Sequence, residues 1–64
     1  MGRWSDQERR EFGARMREAR KGAGMTQTDI GVVLGLAKAT ISAWEVATAM
    51  PNADMVARMA AAYG

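Results

Sequence analysis

The feature that most constrains this chain is Gly35, a glycine set between two short segments whose apolar residues recur at helical rather than strand spacing. On its amino-terminal side Ile30 and Leu34 are four apart, and on its carboxy-terminal side Ile41 and Trp44 are three apart, so each pair can share one helix face. Glycine there ends the first helix, because it enters the left-handed backbone region without a Cβ clash. The stretch 27–45, QTDIGVVLGLAKATISAWE, therefore predicts two short helices, over about 27–34 and about 37 or 38 to 46, joined by a tight turn. Leu36, apolar within that turn, is expected to plug the angle between them. Gly31 has no side chain and is expected where the second helix crosses the first.

The flanking segments also read as helix. Ser5-Asp6-Gln7-Glu8 fits a capping box, and a helix over about 6–21 follows, with Phe12, Met16, Ala19 and Ala23 as a narrow apolar stripe. Acid lies early on it (Asp6, Glu8, Glu11) and base late (Arg15, Arg17, Arg20, Lys21), which suits the helix dipole. Gly22 and Gly24 end it, Met25 turns towards the core, and Thr26 caps the next helix with Asp29 as its box partner. The helix after the turn starts at Leu36 or Ala37, neither of which can cap, so its first amides are left for phosphate or water. A loop over 47–50 leads to Pro51, and Asn52 caps a last helix that runs to Tyr63. Met55, Val56, Met59, Ala60 and Tyr63 mark its inner face, and Gly64 stops it. Residues 1–4 are expected to form a flexible arm in which Arg3 can touch phosphate or groove and Trp4 can fold back on the core.

Composition narrows function. The 64 residues contain neither cysteine nor histidine, which removes thiolate metal sites, thiol nucleophiles and the commonest general base. The seven carboxylates alternate with arginines rather than converging, so no enzyme, no metal and no cofactor are expected. No charge-free run approaches the roughly 20 apolar residues of a membrane span, and the amino terminus lacks an apolar signal segment. The expected location is the cytoplasm of a bacterial or phage-infected cell. Net charge is only +2, but residues 1–21 carry seven basic and four acidic side chains, so the positive charge gathers at the amino-terminal end, as a polyanion partner would require.

Two helices at about 90–120° joined by a short turn form the helix-turn-helix unit of DNA-binding proteins. Over about residues 12–64 the sequence resembles the Cro and phage-repressor type of that unit, the xenobiotic-response-element family. The resemblance rests on Gln27, Ile30, Gly31, Leu34, Gly35, Leu36, Ile41, the Ser-x-Trp-Glu run from Ser42 to Glu45, and Pro51 six residues beyond. It implies an all-α, compact four-helix lambda-repressor-like domain, or a five-helix one cut short, with residues 1–64 forming a single domain. Three departures stand out: an uncharged loop (Val46-Ala47-Thr48-Ala49-Met50) where relatives carry Gly with Lys or Arg, Ala37 in place of a Ser or Thr cap, and Gly31 in place of Ala. If relatives' fifth helix is missing, Met55, Met59 or Tyr63 is expected to be partly exposed and open to a second subunit.

What the resemblance further implies is a sequence-specific regulator of transcription, foremost a repressor, that binds a pseudo-palindromic double-stranded operator as a homodimer. The third helix would lie in the major groove with Lys38, Ala39, Ser42 and Ala43 at base edges. Gln27, Thr40, Arg17 and Arg20 would meet phosphates. Arg20 and Glu45 occupy the positions of an ion pair, read either as structural only or as also facing phosphate. The alternative is a protein-interaction module, antitoxin-like or an antirepressor, that keeps the fold with weak DNA contacts; the alanine-rich face and neutral loop favour it.

Overall fold

Ser5 and Glu8 start the first helix reciprocally: the Glu8 amide donates to Ser5 Oγ at 3.1 Å, and the Ser5 amide donates to Glu8 Oε1 at 2.8 Å. In this computed structural model, which describes residues 4–64, α1 spans Asp6–Gly22, α2 Gln27–Leu34, α3 Lys38–Glu45 and α4 Ala53–Tyr63. Arg3 and the arm before it lie outside the described residues. Thr26 and Asp29 form a complete second capping box on α2, and Asn52 Oδ1 accepts from the Met55 amide to start α4. Ala37 precedes α3 and makes no side-chain cap bond, as its methyl side chain dictates.

The first three helices stop in the same way. In each, one residue turns left-handed and two successive amides reach back to carbonyls of the last turn. Gly24 (φ +72°) donates to Lys21, with Met25 donating to Arg20; Gly35 (φ +71°) donates to Val32, with Leu36 donating to Gly31. At the end of α3 the left-handed residue is Ala47, φ +66°, with Ala47 donating to Trp44 and Thr48 to Ala43. An alanine in that region crowds its Cβ against the backbone at a cost of roughly 1–2 kcal/mol. The loop after α3 is thus held in a shape that suits the glycine relatives carry there.

The core is built from all four helices: Met16 of α1, Ile30 and Leu34 of α2, Ile41 and Trp44 of α3, and Met59 of α4, with Phe12, Met25, Leu36, Met55, Ala62 and Tyr63 packed around it. Leu36 does plug the angle, half-buried against this cluster. Trp4 is half-exposed, and its ring lies 5.1 Å from that of Phe12, so the tryptophan folds back as expected.

Four expectations need correction. Ala19, Ala23 and Ala60 are exposed rather than core-facing, because α1 and α4 touch over a short length and leave an apolar groove between them, with Ala19 and Ala60 on its walls. Met59 is 2 % exposed, so of the three residues expected to remain open only Met55 and Tyr63 do. The buried small residue of α1 is Gly13, where α3 ends against it: a Cβ there would lie 2.5 Å from the Glu45 carbonyl oxygen. Gly31 faces the turn rather than the crossing helix, since a Cβ would lie 2.7 Å from the Leu36 carbonyl oxygen.

Candidate nucleic-acid interface

Eight residues long, α3 measures about 12 Å, close to the width of the DNA major groove. Its inner face is fixed by Ile41 and Trp44 in the core and by Glu45, a carboxylate that is 8 % exposed. Lys38 and Ala39, at its amino-terminal end, are exposed; Ser42 and Ala43, one turn on along the same faces, are half-buried, as is Thr40. The structure therefore brings the four expected base-edge residues together at one accessible side of α3. Burial of Ile41 and Trp44 forces this: those two turn inward, so the positions between them turn out.

Glu45 is the electrostatic centre behind that face. Arg20 donates from Nε to Glu45 Oε2 at 2.8 Å and from Nη2 to Oε1 at 3.2 Å, and its Nη1 donates to the Met25 carbonyl at 2.8 Å. Gln27 Nε2 adds a bond to Glu45 Oε1 at 3.1 Å. One carboxylate thereby ties the end of α1, the start of α2 and the end of α3. Burial alone pushes the Glu45 carboxyl up, but the hydrogen bonds from Arg20 and Gln27, with the charges of Arg20 and Arg17, outweigh it and hold the group below the usual carboxylate range. The same bond raises the Arg20 guanidinium above its ordinary value. Burial raises the Tyr63 phenol as well; its hydroxyl is enclosed with no hydrogen-bond partner among the described residues.

Each expected phosphate residue has a definite setting. Arg20 is an ion-pair residue, its side chain 11 % exposed and three of its N–H groups used within the protein. Arg17, three residues earlier, is exposed and its charge reaches Glu45. Gln27 is half-buried, and one N–H of its amide is committed to Glu45. The Gln27–Glu45 bond joins residues 18 apart and has no local sequence signal. Gly13 and Ala47 were also missed. A glycine inside a charged helix signals close approach of another backbone, whereas Ala47 carries no mark of its left-handed turn.

An uncapped short helix, held from behind by a buried ion pair and bare on its outer side, defines a DNA-binding helix-turn-helix domain. The helix-turn-helix family model matches residues 16–64, and the chain belongs to that family, the group that includes XRE and lambda-repressor-like domains. No curated protein and no solved structure matches it. The family is a DNA-binding regulatory domain that engages double-stranded DNA, not an enzyme. No helix among the described residues is long and apolar enough to cross a membrane.

Proposed function

We propose that this protein is a transcriptional repressor that binds a pseudo-palindromic operator as a homodimer in the cytoplasm. Its third helix enters the major groove and places Lys38, Ala39, Ser42 and Ala43 at base edges. Gln27, Thr40 and Arg17 contact phosphates beside the groove, and Arg20 belongs to the ion pair while lending its charge to the same edge. The observation that carries the reading is the division of α3 into a locked side, Ile41, Trp44 and Glu45, and an accessible side headed by Lys38. Only a rigidly held helix can present side chains to base edges in a fixed register. Lysine at its amino-terminal end suits the guanine O6/N7 edge.

The test is selection of bound duplexes from a random pool, followed by a salt titration on the winners. A repressor dimer gives inverted half-sites centred about 34 Å apart, one duplex turn. Affinity falls with salt, with a modest slope because the loop after α3 is uncharged. A salt-independent affinity, or winners without a common sequence, would leave the chain a protein-interaction module.

A further inference from the structure

The accessible side of α3 is poor in hydrogen-bonding reach. Reading a base pair by paired hydrogen bonds takes Arg or Lys at guanine, or Asn or Gln at adenine, and α3 holds one such side chain, Lys38. The other positions reaching furthest out are alanines: Ala39, exposed, and Ala43, one turn further and half-buried. A methyl side chain has nothing to offer the major groove except contact with another apolar group, and the apolar group displayed there is the C5-methyl of thymine.

Helix geometry sets the spacing. Residues four apart in an α-helix are separated by about 6 Å along the axis, and stacked base pairs by about 3.4 Å. Ala39 and Ala43 on a helix lying along the groove therefore span about two base-pair steps. We propose that Ala39 and Ala43 read thymine methyl groups two base pairs apart in each half-site, so that sequence choice rests on methyl contact, with one guanine contact from Lys38. This rests on the reading of α3 as the groove helix and names what that helix recognises.

The rigidity required is present. Methyl contact falls off within a few tenths of an ångström, so it discriminates only if the alanines are held in place. Ile41 and Trp44, between and beside them, are fixed in the core, and the Ala43 carbonyl accepts from both the Thr48 amide at 3.0 Å and the Thr48 hydroxyl at 3.3 Å. The loop thus clamps the far end of the reading helix.

The experiment replaces thymine by uracil, one position at a time, in duplexes selected from a random pool, so that only a methyl group is lost and the protein is unchanged. Two positions per half-site, two base pairs apart, should each weaken binding about three- to fivefold, the equivalent of one buried methyl group. Ala39→Gly should remove the uracil penalty at one position and Ala43→Gly at the other. Uracil bound as tightly as thymine everywhere, while replacing the guanine still weakens binding, would overturn methyl reading and leave operator binding intact. A uracil penalty that neither glycine variant alters would overturn it too. No sequence preference at all would overturn both readings.

Discussion

Arg20 and Glu45, twenty-five positions apart, hold each other through two hydrogen bonds of 2.8 and 3.2 Å, with the carboxylate side chain only 3 % exposed. The parallel geometry of guanidinium and carboxylate matters because a buried ion pair recovers its desolvation cost only when the remaining lone pairs are also satisfied. Gln27 supplies a further donor to Glu45, and the Met25 carbonyl accepts from Arg20. The pair fixes where α3 ends relative to α1, and so the angle at which its outer side is offered to a duplex.

Removing one partner leaves the other charge buried. Glu45→Ala should destabilise the fold by about 3–5 kcal/mol, read from the urea midpoint. In so small a domain that loss is enough to populate the unfolded state at room temperature.

The same carboxylate makes stability depend on acid. Its folded pKa lies below its unfolded one, so its contribution is present above the ordinary glutamate pKa of about 4.3 and is lost as pH falls through the folded value. Glu45→Gln should lower stability near neutrality and flatten the decline below about pH 4. Thermal midpoints between pH 2 and 7 check this; parallel curves for the two proteins would refute it.

Two glycines of α1 should respond oppositely to alanine. Gly13→Ala forces a Cβ to within 2.5 Å of the Glu45 carbonyl and 2.8 Å of the Trp44 carbonyl, so α1 and α3 must separate, at a cost of about 1–3 kcal/mol. At Gly22 a Cβ meets nothing within 4 Å, and Gly22→Ala should stabilise by roughly 0.5–1 kcal/mol. Denaturant titration of both variants gives the signs.

Ala47 offers a stabilising change. Ala47→Gly relieves the left-handed alanine at φ +66° and should add about 1 kcal/mol, raising the melting midpoint by roughly 4–8 °C. Ala37→Ser should add about 0.5–2 kcal/mol by capping α3. Differential scanning calorimetry separates these gains from any effect on DNA.

Lys38→Ala addresses binding alone. The side chain is exposed, so the melting midpoint should not move, while affinity for the selected operator should fall by about 1–3 kcal/mol if the contact is bidentate. Fluorescence anisotropy at fixed salt measures it. Unchanged affinity would remove Lys38 from the interface.

The helices themselves were legible because their signals are local. Capping boxes at Ser5 and Thr26, the cap at Asn52, the stop at Gly35 and the apolar spacings of Ile30, Leu34, Ile41 and Trp44 all act within a turn or two, and each helix formed within a residue or so of its predicted limits. The pairing of Arg20 with Glu45 was legible only through the family resemblance, since nothing local links them.

What the sequence alone determined is where each helix begins and ends and which side of it is apolar, because these follow from backbone hydrogen bonding and periodicity over a few residues. Tertiary structure decided the rest: that Gly13 rather than Ala19 meets α3, that Gln27 completes the Glu45 network, and that Ala47 is bent left-handed. Those outcomes depend on how closely helices distant in sequence approach, a distance set by the packing of the whole core and by no single stretch of the chain.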